Sequence, residues 1–160
     1  MAKKRVYVES SVISYLTARP AKDGLNKIRQ QLTAMWWARR HEWECVVSPT
    51  VMLEIARGDP GAAARRLEKA QSLIEVPATT EADLLAKWLL SHDLVPESVR
   101  ADAMHLAMAA VHGARYLLTW NQKHLDNPGL RSRVERMIRR QGWEPATVFT
   151  PDRLLLEESS

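Results

Sequence analysis

Four oxygen-bearing side chains could do chemistry in this chain: Glu9 in VYVESS, Glu54 in SPTVMLEI, Asp102 in RADAMHLA and Asn121 in YLLTWNQKH. Each lies just past an apolar strand-like run or near the start of a helix-like one. Three are acids and one is an amide, all hard oxygen donors of the kind that hold Mg²⁺ or Mn²⁺. Gathered without a cation, the acids repel one another and their pKa values rise. A divalent ion removes that penalty, lowers the pKa of a bound water and stabilises charge on a phosphoryl oxygen. The set therefore suits metal-dependent hydrolysis of phosphodiesters, provided the fold brings together residues spread over more than a hundred positions.

The elements between them suggest how. Val6–Val8 reads as a first strand, and Ser10 or Ser11 as the cap of a helix over Val12 to Leu16. Leu25, Ile28, Leu32, Met35 and Trp36 recur every three or four residues, an amphipathic helix from Leu25 to Arg40 with that stripe facing the core. Cys45–Val47 is a second strand, and Ser48-Pro49 is a cap followed by proline at the first helical position. Its helix runs to about Arg57. Further helices fit Ala62 to Ser72, Thr80 to His92, Ser98 to His112 and Leu130 to Gln141, with Gly113 and Gly142 as stops. Ile74–Val76, Tyr116–Trp120 and Ala146–Phe149 read as strands. Alternating strands and helices predict an α/β fold, a mainly parallel sheet with helices on both faces in a three-layer sandwich. In such a sheet the strand C-termini and the following helix N-termini share one edge, where ligands bind. Glu9, Glu54, Asp102 and Asn121 all map to that edge.

Composition bounds the partners. The chain has 160 residues, read as one domain over 1–160, with a frayed tail at 157–160. One cysteine, Cys45, excludes an internal disulfide framework and points to a reducing, cytoplasmic setting. No apolar run reaches the length of a membrane span. Net charge is +4, from 23 basic and 19 acidic residues, which permits a polyanionic partner without demanding one. No G-x-G-x-x-G, Walker loop or G-x-S-x-G is present.

VYVESSVISYL resembles the opening of a PIN domain, a family of metal-dependent ribonucleases, where a strand leads into Asp-Thr/Ser-Ser and an apolar helix. SPTVMLEI is similar to the family's second acidic motif. ADAMHLAMAAVHGARYLLTWN is similar to the third and fourth, so the resemblance spans residues 6–149. The short layout resembles the VapC-like toxins of type II toxin–antitoxin pairs. This resemblance implies Glu9, Glu54 and Asp102 as metal ligands, Asn121 as a fourth catalytic position, and Mg²⁺ or Mn²⁺ as cofactor. It further implies an RNA substrate, 5′-phosphate and 3′-hydroxyl products, an antitoxin partner and a homodimer. Glu9 stands where the family usually has Asp, and Asn121 where Asp is common, leaving three formal negatives. That count suggests one metal held by protein and a second held mainly with substrate phosphate. The alternative is a catalytically silent PIN-like module that binds RNA or protein; a nuclease acting on DNA would use the same residues.

Supporting positions follow from spacing. Ser11 is a helix cap or a ligand hydroxyl, with the cap preferred. His105, three residues after Asp102, reads as a packed, hydrogen-bonded histidine that could also assist proton transfer. Arg133, Arg136 and Arg140 share one helical face and are candidates for RNA phosphate. Trp37 lies one step off the apolar stripe, which suggests a partner surface beside it.

Overall fold

The computed structural model describes residues 2–92, 100–121 and 128–157. Its elements run β1 (Arg5–Val8), α1 (Ser10–Thr17), α2 (Gly24–Ala38), β2 (Glu44–Val47), α3 (Pro49–Ile55), α4 (Pro60–Ala70) and β3 (Ile74–Glu75). Then come α5 (Thr80–Ser91), α6 (Arg100–Val111), β4 (Tyr116–Leu118), α7 (Pro128–Arg140), β5 (Thr147–Phe149) and α8 (Pro151–Leu154). The expected start of α6 at Ser98 and the tail beyond Glu157 lie outside the described residues.

All neighbouring strands pair in parallel, in the order β3-β2-β1-β4-β5. β1 sits at the centre, with Val6 opposite Cys45 on one side and Tyr116 on the other. A central parallel strand is covered on both faces, so Val6, Tyr7 and Val8 are fully buried. From β1 the chain first winds outward to β2 and β3, then crosses back to β4 and β5. Right-handed crossovers place those two halves' helices on opposite faces. The packing agrees: α1 lies against α2, α3 and α4, with α2 on α8, while α5 lies against α6 and α7. The reversal of winding makes the C-terminal end of β1 the switch point, where an open α/β sheet opens a crevice.

Local chemistry sets several boundaries. Ser48 and Thr79 cap α3 and α5 by accepting from Val51 N and Ala82 N. Gly113 at φ +71° and Gly142 at φ +90° turn the chain out of α6 and α7 in a conformation that costs residues with a Cβ. The core is one cluster of strand residues and helix faces, including Trp36, Ile55, Leu89, Ala107 and Ile138.

Several expectations are corrected. Neither Ser10 nor Ser11 caps α1: the N-cap is Glu9, with no side-chain cap bond, because both serine hydroxyls turn to the Glu9 carboxylate. The apolar stripe of α2 does not face the core as a unit. Thr33 and Trp36 are buried, whereas Leu25, Ile28 and Met35 are 60%, 54% and 57% exposed. Trp37, one step off the stripe, is half-buried: it packs partly against the core, with the Arg40 guanidinium 4.0 Å from its ring centre. The reason is rotation: α2 turns Thr33 inward to receive the Trp120 indole N–H at 2.8 Å, which swings Leu25 and Met35 outward. Finally, β4 ends at Leu118 rather than Trp120, and the short helix α8 follows β5 where no helix was expected. No helix among the described residues is long and apolar enough to cross a membrane.

Candidate metal centre

Glu9 is the first residue past β1. Its backbone N–H extends the ladder to β4 by donating to Leu118 O at 3.0 Å, so its Cα is fixed at the switch point. As the N-cap of α1, it also sits where the helix dipole favours negative charge. Its carboxylate, in a residue 8% exposed, accepts three hydroxyls. Ser10 Oγ donates to Oε2 at 2.7 Å, while Ser11 Oγ and Thr119 Oγ1 donate to Oε1 at 2.5 and 2.6 Å. The same two hydroxyl oxygens then accept backbone donors, Trp120 N–H on Ser11 and Asn121 N–H on Thr119, both at 2.9 Å. The end of β4 is thereby tied to the end of β1 through one carboxylate.

Glu54 arrives from the second turn of α3, where helical side chains lean back toward the N-terminus. Its Oε1 lies 3.0 Å from Ser10 Oγ and 2.9 Å from His105 Nε2. Ser10 has one proton facing both carboxylates and so bridges them. His105, 2% exposed on α6, has its Nδ1 2.6 Å from the Tyr7 hydroxyl, which is 2.7 Å from Ser48 Oγ. A carboxylate only accepts, so Nε2–H donates to Glu54, while Nδ1 pairs with the Tyr7 hydroxyl and that hydroxyl with Ser48 Oγ. The hydroxyl that caps α3 therefore ends a chain of hydrogen bonds that begins at Glu54. Burial pushes the Glu54 carboxyl up, but the His105 contact, the Ser10 hydroxyl and the Arg57 charge outweigh it and hold it below the usual glutamate range. Burial raises the Tyr7 phenol well above its ordinary value, against the Ser48 bond and with help from the Glu54 and Glu9 charges. Tyr7 therefore keeps its proton at neutral pH.

Glu9, Glu54 and His105 each present a ligand atom, all within 4.8 Å of one another. Among the described residues, Glu54 Oε2 has no hydrogen bond, whereas both His105 nitrogens are engaged. The arrangement thus offers two carboxylates as donors and a histidine that orients one of them, the usual division between ligands and their supports. Two hard oxygen donors fit Mg²⁺ or Mn²⁺ better than zinc, which favours nitrogen and sulfur.

The remaining sequence candidates lie as follows. Asp102 is in the first turn of α6, half-buried, three residues before His105 and nearer the crevice edge by one turn. It stands outside the converging trio. Asn121 is exposed, and its backbone rather than its side chain joins the network. Ser11 holds Glu9, as described. Arg133, Arg136 and Arg140 lie away from the centre on α7 and line a hollow of their own. Sequence reasoning missed Ser10 as a bridge, Thr119 as the third hydroxyl on Glu9, and the Tyr7–Ser48 support. The available signal was hydroxyl-bearing residues, unusual inside apolar runs, at both strand ends: E-S-S after β1 and T-W after L-L in β4.

No protein-family model matches the chain, and no curated protein matches it. Among solved structures, it is similar to the crystal structure of Mycobacterium tuberculosis VapC20, a sarcin–ricin loop cleaving toxin. Identity is 20% and the TM-score 0.59, over 77% of this chain and 95% of that one. The likeness establishes a shared PIN-like fold, a five-stranded parallel sheet flanked by helices.

Proposed function

We propose that this chain is a divalent-metal-dependent endoribonuclease that hydrolyses RNA phosphodiesters in the cytoplasm, as the toxin of a toxin–antitoxin pair. The observation that carries the reading is the meeting of Glu9 and Glu54, bridged by Ser10, at the switch point of a PIN-like sheet. Glu9 and Glu54 would hold the Mg²⁺ or Mn²⁺, which would supply a water of lowered pKa and a positive charge for the phosphoryl oxygen. The chain's own residues do the positioning. Ser10, Ser11 and Thr119 fix the Glu9 carboxylate. His105 holds Glu54 by Oε1 and leaves Oε2 free among the described residues. Asp102, at the N-terminal end of α6, supplies a third carboxylate at the crevice, and Asn121 a carbonyl oxygen at its rim.

An antitoxin protein, or a second protomer, is proposed to cover the exposed Leu25, Ile28 and Met35 face of α2. Its support is an apolar stripe that the chain's own core leaves bare.

The test is purified protein with single-stranded RNA in Mg²⁺, in Mn²⁺ and in chelator, beside Glu9→Gln and Glu54→Gln. Cleavage that needs the ion and disappears in both variants is the expected result. Metal-independent cleavage would overturn the metal centre, and RNA binding without cleavage would favour the silent binding module instead.

A further inference from the structure

We infer that the outer face of α7 is a phosphate-backbone rail, a binding site for single-stranded RNA separate from the metal centre. The inference rests on the ribonuclease reading for the identity of its polyanion. Its structural basis is independent of that reading.

The argument begins with where the charge is. The whole chain carries a surplus of four positive charges. Helix α7 alone carries Arg131, Arg133, Arg136, Arg139 and Arg140 against Glu135, a surplus of the same size. Elsewhere acids and bases balance, so the basic character of the protein is a property of one thirteen-residue helix.

Partners separate these arginines into two groups. Arg139 is tied to Glu144 at 3.1 Å, and Arg131 is half-buried with a partner of its own. Arg133, Arg136 and Arg140 are exposed, and among the described residues they form no ion pair or hydrogen bond. They are spaced i, i+3 and i+7, on one side of the helix, and with Met137 they line a hollow of about 240 Å³. Val134 and Ile138, on the opposite side, are buried in the core and fix which way the arginines face. Like charges three and four residues apart weaken a helix. Some basic side chains elsewhere are matched by acids, as Arg5 is by Glu44, Arg39 by Glu42 and Lys87 by Asp83. This trio is not, and an incoming anion would supply the missing counter-charge.

The geometry selects an extended polyanion over a single ion. Seven residues of helix carry the row about 10 Å along the axis. Because α7 follows β4 and leads to β5, its N-terminal end lies at the crevice edge and the row runs away from it. A strand with one phosphate at the carboxylates can continue down this face. Guanidinium forks match phosphate oxygens and read no base, so the rail would add affinity without sequence preference.

The experiment is fluorescence anisotropy of a labelled 20-nucleotide single-stranded RNA in chelator, from 50 to 300 mM salt. It compares wild type with the triple variants Arg133→Gln/Arg136→Gln/Arg140→Gln and Arg133→Lys/Arg136→Lys/Arg140→Lys. Each phosphate neutralised on a single strand contributes a slope of about −0.7 in log K against log salt. The glutamine variant should lose roughly two units of slope, and hence about 100-fold in affinity at 0.1 M salt if the lines converge near 1 M. The lysine variant should keep most of the slope, which separates lost charge from lost folding. Wild-type affinity and slope in the glutamine variant would overturn the rail. So would a polyglutamate peptide that binds wild type and loses binding in the glutamine variant while RNA binding is unchanged, since the face would then serve an acidic protein. Metal-dependent cleavage, measured in parallel at saturating RNA and with Glu54→Gln as control, reports on the carboxylate centre, so a failed rail and a failed nuclease give different results.

Discussion

Replacing Glu9 with aspartate, the residue more common at this position in PIN domains, should damage the protein rather than improve it. Glu9→Asp withdraws the carboxylate by one carbon–carbon bond, about 1.5 Å. The hydroxyls of Ser10, Ser11 and Thr119 stand 2.7, 2.5 and 2.6 Å from it, so a retreat of that size takes all three beyond hydrogen-bond range. Hydrogen bonds to a charged group are worth about 1.5–3 kcal/mol each, and Thr119, 2% exposed, has poor access to replacement water. One effect runs the other way. Moving Glu9 from about 5 to about 6.5 Å from Glu54 relieves roughly 0.8 kcal/mol of repulsion at an effective dielectric of 20. The lost bonds outweigh that relief even after partial rearrangement, leaving a net destabilisation of about 2–4 kcal/mol. Urea unfolding in chelator measures it, and calorimetric titration should show weaker Mn²⁺ binding as well. Thr119→Ala should cost far less in the Glu9→Asp background than in wild type, because its partner has already withdrawn. A Glu9→Asp protein within 0.5 kcal/mol of wild type, with additive Thr119→Ala, would refute the claim that three hydroxyls grip the longer side chain.

Three more expectations are open to direct measurement. Asp102→Asn should abolish metal-dependent cleavage while leaving the unfolding curve in chelator close to wild type; cleavage at the wild-type rate would remove Asp102 from the centre. Asn121→Asp adds a fourth negative charge at the crevice rim and should tighten Mn²⁺, so unchanged stoichiometry and affinity by calorimetry would defeat the charge-count reasoning. Burial pushes the Cys45 thiol up to about 12, against the opposing charges of Arg40 and Lys3. A raised folded pKa means its contribution to stability is complete below the unfolded value, 9.0, and is lost as pH rises from there toward 12. The loss should run at about 1.4 kcal/mol per pH unit, and Cys45→Ala should flatten the stability profile by that slope; identical slopes would contradict it.

By itself, the sequence determined the kind of fold and the edge where chemistry would gather. Val6–Val8, Cys45–Val47 and Tyr116–Leu118 are continuous apolar runs, because a central parallel strand is buried on both faces, and that property is written residue by residue. Ser48-Pro49 and Gly113 are equally local, since a cap and a positive φ depend on one residue's own chemistry. Only the tertiary structure decided which donors meet. Ser10 and Thr119 are 109 positions apart, and nothing in either neighbourhood says that both close on one carboxylate. That follows from β1 pairing with β4 in a register that sets Val8 beside Leu118. The facing of α2 was hidden for the same reason. Its apolar periodicity marks a stripe, but a polar bond from Trp120 to Thr33 rotates the helix so that Trp36 enters the core and Leu25, Ile28 and Met35 stay outside. Periodicity reports that a helix has two sides; the packing of distant elements decides which of them is inward.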